Sequence, residues 1–210
     1  NLFFINHNNE HLSKRKFRQA LAYLINKKGL KKDIFDGTCE LLKSPVTRND
    51  GGWNDTQIEG YQIKNKKKRI KTFKEILEEE GYLFKKTGPK WKLFLNGEQV
   101  KLIILYSNDI SYKEQEALKS IKVDFERQGI EIILRDINPV NWEKARLTPS
   151  KWDLLYDNIT LDDGESLDRY YSKKGKFNRK ATKYYTKQVE DLIRDEKINA
   201  LEYLKFWNRN

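Results

Sequence analysis

The chain has few of the cysteine and histidine residues that many enzymes and metal sites use. Its 210 residues include one cysteine, Cys39, and two histidines, His7 and His11. A single cysteine excludes an internal disulfide, and no motif ties either imidazole to it as a catalytic base. The sequence also has no glycine-rich phosphate loop and no metal-ligand spacing. We therefore expect no catalytic residue, no metal site and no cofactor.

Long hydrophobic runs are absent as well. No apolar stretch approaches the roughly 20 residues that a membrane-crossing helix needs. No signal-peptide pattern opens the chain, which begins at Asn1 with a strand-like segment from Leu2 to Ile5. We interpret the chain as an excised or processed piece, so that targeting information has been lost rather than shown to be absent.

Acidic residues are too few to balance the basic ones. The chain has 42 Lys and Arg against 31 Asp and Glu, which gives a net charge of +11. Binding of nucleic acid or of an anionic membrane surface is therefore one possible function. The densest basic runs span residues 64–74 and 173–183, where loops or exposed helix faces are expected. No nucleic-acid motif accompanies them, so we favour a solvated basic surface and expect no nucleic-acid partner.

Hydrophobic periodicity predicts an α/β fold. A stripe that includes Phe17, Leu21 and Leu24 predicts a helix from Ser13 to Asn26. A second short helix is expected at 29–35, and a third around Phe73, ended by Gly81. Turn residues fill 36–62, which we expect to be a long surface loop. The last forty residues read as helical.

The second half alternates strands and helices. The Asn96-Gly97 pair predicts a hairpin between strands at 91–95 and 99–105, and the apolar run of the second strand predicts a central position. Ser111 and Glu114 form a capping box for a helix to Arg127. Strands at 131–135 and 152–156 flank a short helix at 141–147. This order predicts a mostly parallel, helix-covered sheet with a β-hairpin.

Several phrases in sequence order carry a family resemblance. They are F-R-Q-A-L-A-Y-L-I-N-K at 17–27, E-E-G-Y at 79–82, Trp91 followed by N-G-E at 96–98, and L-Y-S at 105–107. Together they resemble the extracytoplasmic solute-binding proteins of the peptide/nickel class, which deliver ligands to ABC importers. The resemblance covers nearly the entire chain.

The resemblance implies a fold, a function and partners. Residues 1–210 would form a single lobe, the middle segment of a two-lobed fold of the type II periplasmic binding protein kind. The parent protein would capture oligopeptides outside the cytoplasmic membrane and deliver them to ABC permease subunits, meeting the membrane only through an anchor of its own. Dipeptides, nickel chelates and sugars remain open as ligands.

Candidate ligand residues follow from the expected carboxyl ends of two strands, where open α/β sheets bind ligands. From the residues alone, a solvated turn is favoured over a ligand contact for Asp162 and the carboxylate beside it. The resemblance implies that Asp162 pairs with the α-ammonium of a peptide. It also aligns Tyr156 with a family arginine, and it puts Asn158-Ile159 where the family has Gly-Trp. The candidate ligand residues are Asp162, Tyr106, Ser107, Asn108, Tyr156, Asn158 and Ile159.

Overall fold

The fold is built on a four-stranded sheet with a separate three-stranded sheet at one end. The computed structural model describes residues 2–41, 65–158 and 174–182. The larger sheet has the order β1-β7-β5-β6. Its strands are β1 (Leu2–Ile5), β5 (Lys101–Ser107), β6 (Glu131–Ile137) and β7 (Leu154–Asp157). β5 is parallel to β6 and β7, and β1 is antiparallel to β7. The predicted α/β class and mostly parallel sheet are confirmed.

Strand β5 occupies the centre of the larger sheet, as its sequence predicts. Leu102, Ile104 and Leu105 are fully buried. A strand with neighbours on both edges and apolar layers on both faces must be apolar nearly throughout. Leu102 and Ile104 pack in one core cluster, and Leu105 packs in a second cluster on the other face.

Two helices connect the parallel strands. Helix α5 (Tyr112–Arg127) joins β5 to β6, and α6 (Pro139–Arg146) joins β6 to β7. Ser111 and Glu114 make the predicted capping box of α5. After α5 the chain turns at Gly129, whose φ of +94° strongly favours glycine. The predicted order of strands and helices is therefore confirmed, with shifts of a few residues at the boundaries.

The hairpin prediction is partly wrong. Asn96 and Gly97 form the expected turn with positive φ, but β3 (Lys90–Leu95) pairs across it with only the two-residue β4 (Glu98–Gln99). The main partner of β3 is β2 (Leu83–Thr87). The reason lies at Val100, whose N–H donates to Leu93 and whose carbonyl accepts from Glu131. The chain leaves the small sheet there and enters the larger one.

The helix predicted from Ser13 to Asn26 is confirmed between Arg15 and Leu24, and a short helix that was not predicted precedes it. Two helices are present, α1 (Glu10–Ser13) and α2 (Arg15–Leu24), separated at Lys14, which is extended. The side chain of Asn9 caps α1. The guanidinium of Arg18 donates to the carbonyls of Leu12 and Ser13 at 3.0 and 2.8 Å. The carbonyls that the break frees are therefore satisfied.

The remaining helices lie against one face of the larger sheet. They are α3 (Lys27–Gly29), a π-helical turn (Leu30–Ile34) and α4 (Lys66–Glu79). Helix α4 packs on α2, and Phe73 and Leu77 of α4 are fully buried with Phe17 of α2. Each such side chain stabilises the fold by about 1.5–3 kcal/mol.

Beyond these elements, a 3-10 turn (Pro149–Lys151) precedes β7, and a π-helical segment (Asn178–Thr182) packs on the second cluster. Most of the predicted 36–62 loop and nearly all of the predicted C-terminal helices lie outside the described residues. Within 2–41, 65–158 and 174–182, no helix is both long and apolar enough to cross a bilayer.

Candidate ligand-binding edge of the sheet

The carboxyl ends of the three parallel strands meet at one edge of the larger sheet. Leu105 of β5 lies beside Leu155 of β7. Continuing this register places Asn108 beside Asn158, just beyond the strand ends. The backbone N–H of Asn108 donates to the carbonyl of Ile137 at the end of β6, at 2.9 Å. This edge therefore brings together five of the predicted ligand residues: Tyr106, Ser107, Asn108, Tyr156 and Asn158.

The carboxylate of Glu114 organises this edge. Glu114 lies in the first turn of α5 and is only 8% exposed. One oxygen, Oε2, accepts from the backbone N–H and the hydroxyl of Ser111 at 2.9 and 2.7 Å. The other, Oε1, accepts from the Tyr156 hydroxyl at 3.1 Å, and the side chain of Asn158 also hydrogen-bonds the carboxylate. A buried carboxylate needs this many donors because an unpaired charge would be costly to bury.

These hydrogen bonds set the protonation states of Glu114 and Tyr156. Burial by itself raises the pKa of Glu114, but the bonds from Ser111, Asn158 and Tyr156 outweigh burial and leave the pKa below its usual value. Burial raises the pKa of Tyr156, and the neighbouring carboxylate of Glu114 raises it further. At neutral pH the tyrosine therefore stays protonated and donates to an ionised glutamate.

Tyr156 and Asn158 are therefore partners of Glu114, and their predicted contact with a ligand stays a prediction. Sequence reasoning assigned both to the ligand and gave Glu114 only a capping role. The capping box is a local signal that sequence reveals. The bond from Tyr156 joins residues 42 positions apart, and no local pattern indicates it.

The tip of β5 presents the other predicted residues. Ser107 is buried, and its Oγ has no hydrogen-bond partner within the described part of the chain. Asn108 is exposed and Tyr106 is partly buried. Burial raises the pKa of Tyr106, and the nearby Asp136 carboxylate raises it further. An exposed amide and a partly buried phenol thus lie at the strand end, where they can bond polar groups of a ligand.

Two aspartates, one at each end of β7, have structural roles. Asp157 lies 3.2 Å from the guanidinium of Arg146, and both side chains are nearly buried. This pair fastens α6 to the end of β7. Asp153 accepts from the backbone N–H of Ile103 at 2.7 Å and from the side chain of Asn9 at 2.9 Å, which holds the start of β7 against β5.

The remaining predicted ligand residues, Ile159 and Asp162, lie outside the described residues. They stay predictions. Among the residues that the structure describes, no group of His, Cys, Asp and Glu side chains could hold a metal ion.

Comparison with known proteins identifies the family. Residues 1–180 match the family described as "Bacterial extracellular solute-binding proteins, family 5 Middle". The chain belongs to this family of bacterial solute-binding proteins. A curated relative, the oligopeptide-binding protein AppA of Bacillus subtilis (strain 168), is 24% identical over 204 residues. That match covers 91% of this chain and 34% of the relative.

Solved structures share the fold. The oligopeptide-binding protein AppA from Bacillus subtilis, in complex with a nonapeptide, superposes with a TM-score of 0.78 at 17% identity, over 99% of this chain and 40% of that chain. NikZ from Campylobacter jejuni, in complex with Ni(L-His), gives 0.75 at 19% identity, over 98% of this chain and 40% of the other. The chain therefore has the fold of part of these two-lobed proteins and spans well under half of their length.

Proposed function

We propose that this chain is one lobe of the substrate-binding component of an ABC importer. The whole protein captures oligopeptides outside the cytoplasmic membrane and delivers them to the permease subunits. Residues 1–210 act as a single lobe, and the ligand is held between this lobe and a second one by closure rather than by covalent chemistry. Family membership supports the solute-binding class, and the oligopeptide-binding relative favours a peptide as the solute.

The observation that carries the proposal is the polar edge of the larger sheet. Glu114 fixes the start of α5, Tyr156 and Asn158 relative to one another. This base leaves the exposed Asn108 side chain at the end of β5, next to Ser107, whose buried hydroxyl has no hydrogen-bond partner among the described residues. Pre-formed polar groups lose little entropy on binding, which favours recognition of the peptide backbone.

Asp162 is our candidate for the residue that binds the peptide α-ammonium. It follows β7 by five positions in the sequence, and a carboxylate supplies the charge-assisted hydrogen bonds that a desolvated ammonium needs. The family resemblance aligns Tyr156 with an arginine, and a tyrosine carries no positive charge, so nothing in this lobe is assigned to the peptide carboxylate.

The test is native mass spectrometry of the full-length protein that contains this chain, incubated with a mixed peptide pool. We expect retained peptides in the wild type and in Asp163→Ala, and a loss of retention in Asp162→Ala. The two variants remove the same charge from adjacent positions, so Asp163→Ala is the matched control. Equal retention in all three proteins would contradict the role of Asp162.

A parallel incubation with Ni(L-His) addresses the second ligand class, which the fold of NikZ makes worth testing. Retention of the chelate without any peptide would refute peptide capture and leave a solute-binding role. The isolated 210-residue chain should bind peptides weakly or not at all in calorimetry, because the second lobe supplies the rest of the buried contact.

A further inference from the structure

The β2–β3 hairpin ends in an exposed basic segment that the ligand site does not use. Every residue from Lys85 to Trp91 is exposed. This stretch contains Lys85, Lys86 and Lys90, and Lys92 follows directly. No acidic residue occurs between Tyr82 and Gly97. We call residues 85–92 the basic tip.

The charges of the basic tip work against folding. Lys85 lies directly opposite Lys92 across the two strands, and like charges at such positions are destabilising. None of the four lysines forms an ion pair within the described residues, whereas Lys71 and Lys101 each have a glutamate partner. If stability alone determined the sequence of this hairpin, opposite charges would be expected at facing positions. The arrangement suits a negatively charged partner outside the chain.

An apolar side chain accompanies these lysines. Trp91 is 42% exposed and lies directly opposite Lys86 across the two strands. The ammonium of Lys74 on α4 lies 4.8 Å from the centre of the Trp91 ring, which places a cation beside the indole. Tryptophan interleaved with lysine is typical of protein surfaces that rest at a membrane interface, because the indole has an apolar body and a polar N–H.

The positive surface continues along α4. Lys67 and Lys71 lie four residues apart on this helix, and Lys74 lies one further turn toward the hairpin. Lys67, Lys68 and Lys71 line a shallow open groove of about 450 Å³ on the exposed side of the helix, together with Glu75, which pairs with Lys71. Lys74 connects this side of α4 to Trp91.

The basic tip lies at the opposite end of the fold from the ligand-binding edge. The hairpin leads through Val100 into the start of β5, and the candidate site is at the other end of that strand. A seven-residue strand separates the two by roughly 20 Å. A protein docked through the tip would keep its ligand-binding edge accessible.

We propose that the basic tip docks on an anionic phospholipid surface, with Trp91 entering the headgroup region and Lys85, Lys86 and Lys90 contacting lipid phosphates. The tip is convex and short, and it joins an exposed indole to lysines, which fits a flat interface. Non-specific binding of a nucleic-acid strand also relies on aromatic side chains that stack on the bases along a groove, and the groove on α4 has no aromatic residue in its lining. A bilayer is also the surface at which an extracellular solute-binding protein must work.

Vesicle co-sedimentation of the full-length protein, expressed without any membrane anchor, tests the proposal. The vesicles contain phosphatidylcholine alone or with 30% phosphatidylglycerol. We expect binding only to the anionic vesicles, with a loss at high salt. The Lys85→Gln/Lys86→Gln/Lys90→Gln variant should bind about a hundredfold more weakly, because each lysine contributes roughly fivefold.

A matched variant distinguishes the effect of the charges on the basic tip from the effect of the protein's net charge. Lys28→Gln/Lys32→Gln/Lys144→Gln removes the same charge from exposed lysines elsewhere, and its binding should stay within about threefold of the wild type. An equal loss in both triple variants would overturn the proposal, because binding would then follow net charge alone. Binding of RNA without binding of anionic vesicles would also overturn it.

Quenching of tryptophan fluorescence by brominated lipids provides an independent readout. We expect quenching in the wild type and in Trp142→Phe, since Trp142 lies on α6 and packs against the second core cluster. Quenching should be largely lost in Trp91→Phe. Unchanged quenching in Trp91→Phe would refute insertion of the tip.

Discussion

Replacing Tyr156 by phenylalanine tests whether Glu114 organises the sheet edge. The change deletes one hydroxyl that donates to the Glu114 carboxylate at 3.1 Å. Both side chains are buried, at 5% and 8% exposed. A hydrogen bond to a charged group contributes about 1.5–3 kcal/mol, so the free energy of unfolding at pH 7 should fall by about that amount. The assay is urea unfolding of the 210-residue chain, followed by far-UV circular dichroism.

The same variant has a pH signature. Because its hydrogen bonds lower the folded pKa of Glu114, this residue stabilises the fold above its unfolded pKa of about 4.3. That stabilisation is lost as the pH falls through the lowered folded pKa. Removal of the Tyr156 donor raises the folded pKa toward the unfolded one, so the difference from wild type should be larger at pH 7 than at pH 3.

Tyr106→Phe is the control, because the hydroxyl of Tyr106 has no hydrogen bond to the residues that the structure describes. It should change the free energy of unfolding by less than about 0.5 kcal/mol. Equal effects of the two substitutions, or a Tyr156→Phe effect that does not depend on pH, would refute the role given to Glu114.

Three further predictions, tested with five substitutions, address packing and pH. Gly129→Ala should lower the free energy of unfolding by more than about 2 kcal/mol, since a Cβ there would lie 2.7 Å from the backbone of β3. Gly81 has a similar φ but open space around it, so Gly81→Ala should lower the free energy of unfolding by only about 1 kcal/mol. Equal losses in the two variants would contradict the close packing at Gly129. Burial lowers the pKa of His7 to about 4 and also lowers that of His11, so the free energy of unfolding should fall as the pH drops from about 6.5 to 4. This fall should be less steep in His7→Gln. An unchanged dependence of the free energy of unfolding on pH in that variant would refute the role of His7. Trp152→Phe should cost clearly less than the roughly 3–5 kcal/mol of Trp152→Ala, because the indole N–H is buried without a partner in the described chain; thermal unfolding compares the two.

The positions of the ligand-binding edge and the basic tip suggest how the two proposed functions combine. The ligand-binding edge lies at the carboxyl ends of the parallel strands, and the basic tip lies beyond their amino ends. Ligand capture and surface docking would therefore use different ends of one rigid lobe. Neither role requires the other, so the peptide and vesicle experiments can fail independently.

Much of the fold is readable from short stretches of sequence. Asn96-Gly97 specifies a turn because both positions adopt positive φ. Ser111 and Glu114 specify the start of α5 because the two halves of a capping box lie three residues apart. The apolar run of β5 specifies a central strand because only a doubly covered strand tolerates it. The phrases that resemble the solute-binding family identified the family that the comparisons confirm.

Other features depended on which elements meet in space. The sequence could not show that β3 pairs mainly with β2, because an isolated hairpin signal does not reveal a competing neighbour. Nor could it show that Tyr156 and Asn158 hydrogen-bond Glu114, or that Asp157 forms an ion pair with Arg146. Local hydrogen bonds and backbone preferences, which act over a few residues, were determined by the sequence by itself. Partners dozens of residues apart were decided by the tertiary structure, because strand register and helix packing set which buried charges and donors come within hydrogen-bonding distance.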